Sequence, residues 1–367
     1  MIIKVKKYIE SKKKMLEYFK SHSEYLEEGE YKIDDLLTYL YKNDSLTYST
    51  VSNMLENSYT RAVFKKSILK RLLNLCIKIL FFNKTLIVKE SSRYDSIFQG
   101  NLYLPSMSGK EIKIFDLNTN RVLLIFSNKK DYINRVKKYN RFQEYFNLPK
   151  ILSKNDSDLM AVEKYIDYKP NFEWTNEDYE KVIKNAFKTE IEYIKLCKNS
   201  GDYYYKNIKQ ITEELPKMTD FIDFLKKNIK DELLEEEFPY VQLHGDLWTS
   251  NILVENNKKS IYYIDWEYST YFIIIYDFCF MILNESFTNS NNLYLDNYID
   301  GKYDKYFDKI FEIFDMKMKT EYRIDYLYMA MLLQYLDRWY KVGYKIEMKI
   351  LKNIKGVFEY INNIKSY

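Results

Sequence analysis

Hydrophobic and polar positions along this chain follow two periods, and the switches between them mark out its parts. Up to about residue 60 the period is helical. Ile9, Met15, Leu16, Tyr18 and Phe19 recur near helical spacing among lysines. Ile33, Leu36, Leu37 and Leu40 repeat that spacing, with Asp34 and Asp35 where acids suit the first turn of a helix. Residues 61–82 predict a basic amphipathic helix. Phe64, Ile68, Leu72, Leu75, Ile79 and Phe82 form its apolar stripe, and Arg61, Lys65, Lys66, Lys70, Arg71 and Lys78 carry its charge with no acid between them. Such a helix either lies on an anionic membrane surface or packs on the protein with its basic face in water, the commoner fate. From residue 85 to 126 the period shortens to two. Leu86–Val88, Asn101–Leu104, Glu111–Phe115 and Arg121–Phe126 read as antiparallel strands separated by polar turns at Ser106–Lys110 and Asp116–Asn120.

A helix then follows over Asp131–Phe146, stopped by Pro149, and a further strand over Asp158–Val162. Thr175 and Asp178 carry a helix-capping signature, and apolar positions from Val182 to Leu196 extend that helix to about Lys198. From Asp304 onward the pattern is again helical. Only 8 glycines and 5 prolines punctuate 367 residues, which argues against a turn-rich all-β protein.

One stretch breaks the periodicity with chemistry. Val241-Gln-Leu-His-Gly-Asp-Leu-Trp-Thr-Ser-Asn-Ile-Leu-Val254 is followed, past a polar turn, by Ile261-Tyr-Tyr-Ile-Asp-Trp-Glu267. Two short strands joined by a turn form a hairpin with Asp246, Asn251 and Asp265 at its mouth. A loop carboxylate, an amide five residues on and a second carboxylate past a hairpin suit phosphoryl transfer. One acid, Asp246, takes or orients a hydroxyl proton, and Asn251 and Asp265 offer hard oxygens to Mg²⁺. No Gly-x-Ser-x-Gly elbow, paired CxxC or Walker loop offers a rival chemistry.

His244-x-Asp246 with Asn251, then Ile264-Asp-Trp-Glu-Tyr268 and Asp277 twelve residues after Asp265, resembles the aminoglycoside phosphotransferase and choline kinase superfamily. These are small-molecule kinases with a protein-kinase-like fold. The resemblance implies ATP and Mg²⁺ as cofactors, a structural His244, and Asp277 as an anchor for the catalytic loop. It makes Glu163-Lys-Tyr-Ile166 the hinge, so that Glu163, Tyr165 and Ile166 would meet the adenine. It also extends the acceptor pocket to the C-terminal helices. There Tyr335, Asp337, Trp339 and Tyr340 offer the aromatic faces and acid that suit a choline-type cation, with Glu267 beside them. The chain departs from the kinase pattern in its small lobe. No Gly-x-Gly-x-x-Gly is present, Gly109 alone sits in the relevant turn, and Leu124-Ile-Phe126 is apolar where a phosphate-binding Lys is sought. Lys113 on the neighbouring strand is the candidate, with Lys129 and Lys130 just beyond and Glu144 as a helix partner.

Charge adds two points. The first 90 residues carry a net +6 and the remainder −2, so the catalytic part is no nucleic-acid platform. Cys76, Cys197 and Cys279 are far apart in apolar runs and read as buried thiols of a reducing compartment. No secretory signal and no spanning apolar run is visible. The chain is expected to be cytoplasmic, with a peripheral membrane contact through helix 61–82 as the open variant.

The expected fold is α+β and bilobal, protein-kinase-like, with an N-terminal helical extension over 1–84, a small antiparallel-sheet lobe over 85–166 and a mainly helical large lobe over 167–367. The expected activity is ATP- and Mg²⁺-dependent phosphorylation of a hydroxyl on a small molecule: choline or ethanolamine, an aminoglycoside, or a sugar of a cell-surface glycan. The alternative is a pseudokinase or scaffold that binds partners without turnover, which the unclear small-lobe Lys favours and the intact Asp246, Asn251 and Asp265 disfavour. A protein kinase fits less well, because His244-Gly-Asp246 lacks the Arg of that loop and no Ala-Pro-Glu follows.

Overall fold

The computed structural model describes residues 2–56, 68–82, 86–89, 98–105, 110–215, 219–256, 260–340 and 348–365. They form two compact units: residues 1–141, 147–174 and 253–262, and residues 142–146, 175–252 and 263–367.

The first unit is built on an eight-stranded antiparallel sheet. In chain order its elements are α1 (Ile2–Ser21), β1 (Gly29–Ile33), β2 (Leu40–Lys42), α2 (Ser45–Glu56), α3 (Ile68–Phe82), β3 (Leu86–Val88), β4 (Leu102–Pro105), β5 (Glu111–Asp116), β6 (Arg121–Phe126), α4 (Lys129–Phe142), β7 (Ile151–Asn155), β8 (Met160–Lys164) and β9 (Tyr168–Lys169). The strand order is β3-β1-β2-β4-β5-β6-β8-β7. The central strands are apolar on both faces, so both need cover. Ile114, Leu123 and Ile125 point to a cluster with Met15 and Phe19 of α1 and Ile77 and Phe82 of α3. Their neighbours Phe115, Val122 and Leu124 point the other way, to Val51 of α2 and Tyr132 of α4. The N-terminal segment is therefore part of the sheet's own core.

Three expectations fail in that segment. Residues 33–40 are strand, turn and strand. Asp34 does not sit in a helix's first turn; its carboxylate accepts the backbone N–H groups of Leu36, Thr38 and Tyr39, and Leu37 takes a positive φ of 56°. A local carboxylate cap of this kind competes with helix formation. In the basic helix, residues 61–67 lie outside the described set. Over the described part, the buried face is Asn74, Ile77 and Phe82, the last a residue of the expected stripe, with Leu73 and Phe81 packed beside them. The expected stripe residues Leu72, Leu75 and Ile79 are exposed instead. Asn74 fixes that orientation by accepting from Tyr8 Oη at 2.8 Å and donating to the Asp35 carbonyl at 3.2 Å. Cys76 is exposed, whereas Cys197 and Cys279 are buried as expected.

The hairpin strands β12 (Ile252–Glu255) and β13 (Ile261–Tyr263) form a small sheet with β9. The second unit is mainly helical. Its long helix α5 (Asn176–Ser200) begins at the Thr175–Asp178 capping box and ends at Gly201 in the left-handed region. Strand β10 (Tyr204–Lys206), short helices α6 (Ile208–Glu213), α7 (Asp220–Lys226) and α8 (Asp231–Glu235), and strand β11 (Phe238–Leu243) follow. Strand β14 (Thr270–Ile273) pairs with β11. Helices α9 (Tyr276–Asn284), α10 (Leu293–Ile299), α11 (Asp304–Ile313), α12 (Arg323–Gln334), a π-helical turn Tyr335–Tyr340 and α13 (Met348–Lys365) complete the unit. No helix among the described residues is long and apolar enough to cross a membrane.

Candidate active site

The site grows out of the end of β11. Val241 and Leu243 are buried and paired to β14, so the chain leaves the sheet at His244 in a fixed direction. Gly245 turns it with φ of +77°, and a Cβ there would strike the carbonyl oxygen of Tyr268. Only glycine meets both demands. A 3₁₀ turn over Thr249–Asn251 then feeds β12.

Two carboxylates at the ends of α9 hold the two ends of this loop. At its start, Asp277 accepts the N–H groups of His244 at 2.7 Å and Gly245 at 2.9 Å. At its far end, Glu285 accepts from the Thr249 hydroxyl and backbone N–H and from Asn289. His244 is a buried strut. Its Nδ1 accepts from the Asp246 N–H at 3.2 Å, so its Nε2 donates to the Ile264 carbonyl at 2.8 Å. That second bond ties the loop to the segment carrying Asp265. The structural roles expected of His244 and Asp277 match these contacts.

Asp246, Asn251 and Asp265 come together as expected. Asn251 Nδ2 donates to the Asp246 carbonyl at 2.8 Å and to its carboxylate at 3.1 Å. The Asn251 carbonyl accepts from Ile264 N–H at 3.0 Å, directly before Asp265. Asp265 itself is left-handed, with φ of 62°, a conformation that Asp tolerates better than most residues. With Asn251 Nδ2 committed to Asp246, the amide oxygen and the Asp265 carboxylate remain as hard donors. Among the described residues no group of three or more His, Cys, Asp or Glu could hold a metal. Two protein oxygens nevertheless fit Mg²⁺, which keeps waters and phosphate oxygens in its remaining positions.

Burial pushes the Asp246 carboxyl above its ordinary range. The Arg338 charge and the bonds from Arg338 and Asn251 pull it back down, and Asp265 adds to the rise. Asp277, fully enclosed, is raised to about 7 by burial despite its two N–H bonds. Behind it on α5 lies Glu190, 1% exposed, with neither carboxyl oxygen hydrogen-bonded. Burial first, and then the charge of Asp277, drive its carboxyl well up. Burial beside Asp277 thus disfavours the charged form of Glu190.

Arg338 is the residue that sequence reasoning passed over. It stands in the π-helical turn between two residues that were singled out, Asp337 and Trp339. Its Nη2 donates to Asp246 at 2.8 Å and also to the Gly245 carbonyl. The guanidinium lies 4.3 Å from the Tyr268 ring centroid and 5.2 Å from that of Phe280. Its signal in the sequence was a single Arg closing a long apolar helix.

Tyr335 is buried, edge-on to Phe221 with centroids 5.0 Å apart, which makes it a core residue. Asp337 is half-buried in the same turn, and the Trp339 side chain lies outside the described residues. Glu267 is exposed in the 3₁₀ turn after Asp265. Lys113, Glu163, Tyr165 and Ile166 belong to the first unit. Lys113 on β5 pairs with Glu111 at 3.0 Å. Glu163 lies within β8 and binds Arg135 of α4 at 2.6 Å, a strand-to-helix ion pair with its charges opposite to the kinase Lys–Glu pair. Tyr165 N–H is taken by the Asn120 carbonyl at 2.8 Å, and Ile166 is buried. The turn at 106–109 lies outside the described residues.

Comparison with known proteins finds the same kinship. Residues 161–310 match the family model described as choline/ethanolamine kinase. A curated relative, protein LicA homolog of Mycoplasma capricolum, is 24% identical over 152 residues, 37% of this chain; the matched stretch spans 58% of that relative's length. Choline kinase LicA from Streptococcus pneumoniae aligns over 72% of this chain and 92% of its own, with 14% identity and a TM-score of 0.37. An aminoglycoside phosphotransferase from Streptomyces rimosus aligns over 63% of this chain and 92% of its own, with 11% identity and a TM-score of 0.35. The family-model match covers His244 to Asp277, the residues from which the likeness to choline kinases was read.

Proposed function

We propose that this chain, matched to the choline/ethanolamine kinase family across residues 161–310, transfers the terminal phosphoryl group of ATP to a hydroxyl of a small molecule. The observation that carries the reading is the hydrogen-bonded pair Asp246 and Asn251 with the Asp265 charge beside it, on a loop pinned at both ends by Asp277 and Glu285. Asp246 accepts the hydroxyl proton as the acceptor oxygen bonds to phosphorus, and the bond from that phosphorus to the β–γ bridging oxygen breaks to release ADP. Its raised carboxyl suits a base that must later give the proton up. Asn251 and Asp265 would hold Mg²⁺, which neutralises phosphate charge when bound. Lys113, Glu163, Tyr165 and Ile166 stay as candidates for the nucleotide. Choline, ethanolamine, aminoglycosides and glycan sugars are the acceptors to screen. An ATP-consumption assay with Mg²⁺ should show acceptor-dependent turnover that Asp246→Ala lowers by about 10²–10⁴-fold. Mg²⁺-dependent nucleotide binding with no turnover on any acceptor would favour the scaffold reading.

A second reading concerns where the enzyme works. Leu72, Leu75, Ile79 and Leu80 of α3 are each more than half exposed, on a helix whose described residues include Lys70, Arg71 and Lys78 and no acid. The adjoining α1, linked to α3 by the Tyr8–Asn74 bond, adds exposed Lys6, Lys7, Lys13 and Lys14. Apolar side chains ringed by lysines suit an anionic lipid surface. The chain should sediment with phosphatidylserine vesicles and not with phosphatidylcholine ones, and the double variant Leu75→Glu with Ile79→Glu should abolish it. Equal partition of parent and variant would sink the idea.

A further inference from the structure

We infer that Arg338 is a positioning residue for the base: it holds the Asp246 carboxylate in the orientation that meets the acceptor hydroxyl, and it ties that carboxylate to the arm carrying Asp265. This rests on the phosphotransferase reading above and deepens it. The Asp246 side chain is gripped at both oxygens. Arg338 Nη2 donates to Oδ1 at 2.8 Å, and Asn251 Nδ2 donates to Oδ2 at 3.1 Å. An ionised carboxylate offers about four acceptor positions, so two donors fix its plane and still leave a lone pair for the hydroxyl proton. The same Nη2 donates to the Gly245 carbonyl. One nitrogen thus spans the carboxylate and the backbone next to it, which fixes the torsion between them. The guanidinium is itself held by rings, 4.3 Å from the Tyr268 centroid and 5.2 Å from that of Phe280. Tyr268 ends the 3₁₀ turn that Asp265 begins, so Arg338 joins the loop of the base to the segment of the metal carboxylate.

An ion pair kept for stability does not account for this arrangement. The strong arginine–carboxylate pair is bidentate, with two parallel N–H···O bonds. Here a single nitrogen makes the contact and shares it with a backbone carbonyl. Arg338 Nε–H is buried with no acceptor among the described residues, which costs folding rather than helping it. The turn that carries Arg338 is π-helical, over Tyr335–Tyr340. Such turns are rare and recur at functional sites, because their wider spacing re-aims the side chains that follow. Both side chains of the pair are 14% exposed, so each is held in a packed position rather than swinging in solvent.

Steady-state kinetics of Arg338→Met and Arg338→Lys test this, with ATP, Mg²⁺ and whichever of choline, ethanolamine and an aminoglycoside the wild type turns over fastest. Met keeps a long stem and has no donor; Lys keeps a cation that can reach the carboxylate. Arg338→Met should lower kcat about 10²-fold, the scale of a reacting group displaced by about 1 Å, with KM for ATP within about threefold of wild type. Arg338→Lys should recover about tenfold of that loss. Equal losses in the two variants, or a rise in KM for ATP that matches the fall in kcat, would make Arg338 a packing residue and overturn the inference. If Arg338→Met does not fold, Arg338→Gln replaces it: a fall in kcat that Lys largely escapes supports the inference, and wild-type kcat in Gln refutes it. Absence of turnover by wild type on every acceptor defeats the phosphotransferase reading and this inference with it. Wild-type turnover that Arg338→Met leaves intact defeats this inference alone.

Discussion

Gly245→Ala should be among the most damaging single-methyl changes in this protein, and its cost can be divided into two parts. The first is conformational. Gly245 has φ of +77°, and an L-residue in the left-handed region costs about 1–2 kcal/mol. The second is steric. The new Cβ would collide with the Tyr268 carbonyl oxygen and sit 3.0 Å from Phe272 Cε2, and backbone cannot yield as a flexible side-chain tip can. Relief requires the loop to shift, which strains the Gly245 N–H bond to Asp277 and the Arg338 bond to the Gly245 carbonyl. Losing one such buried bond adds roughly 1–3 kcal/mol. The total is about 2–5 kcal/mol. Gly201 supplies the matched control, since it is also left-handed, with φ of +72°, but has nothing within 4 Å of a built Cβ. Gly201→Ala should cost only the conformational part. Urea unfolding of both variants measures the difference, and turnover measures the displacement of Asp246. If the two substitutions cost the same within about 0.5 kcal/mol, a threshold set by ordinary surface effects, the loop is not wedged against Tyr268 and the account of it is wrong.

Much of this site was legible because its residues are close in sequence and its spacing is set by a hairpin. His244, Asp246, Asn251 and Asp265 fall within 22 residues, and β12 and β13 fix their separation. The anchors were harder to see. Asp277 was found through resemblance, whereas Glu285 and Arg338 bond to the loop from 36 and 93 residues away and Glu190 acts on Asp277 from α5, so local pattern says nothing of them. The small sheet was half legible. The apolar runs between 102 and 126 mark strands plainly, but the β1–β2 segment carries Ile33, Leu36, Leu37 and Leu40 at a spacing that fits a helix equally well. What decides between them is the Asp34 carboxylate bound to three N–H groups of the turn, an interaction no period reports. The basic helix shows the converse. Its period correctly announces a helix, yet the face that packs is chosen by a buried polar residue, Asn74, with Ile77 and Phe82 beside it, and Leu72, Leu75 and Ile79 of the apolar stripe are left outside.

The buried acids behind the loop give two further tests. Asp277→Ala leaves the N–H groups of His244 and Gly245 without their acceptor, so hydrogen exchange at both amides should quicken at least tenfold, and unchanged protection would show the anchor to be dispensable. Glu190→Gln tests the neutral acid through pH. Burial raises the Glu190 carboxyl well above its usual value, so the folded protein holds a proton that the unfolded chain releases above about pH 4.3. Stability therefore falls as pH rises from there toward the folded value, by up to about 1.4 kcal/mol per pH unit from this group. Gln has the same shape and does not titrate. The two proteins should be about equally stable near pH 4, where Glu190 is protonated in both states. They should diverge through neutrality, with the variant the more stable at pH 8. Asp277 still titrates in each, up to about 7, so a slope common to both remains below neutral pH. Parallel stability curves from pH 5 to 8 would mean that Glu190 is ionised in the fold, and that a polar partner must reach it.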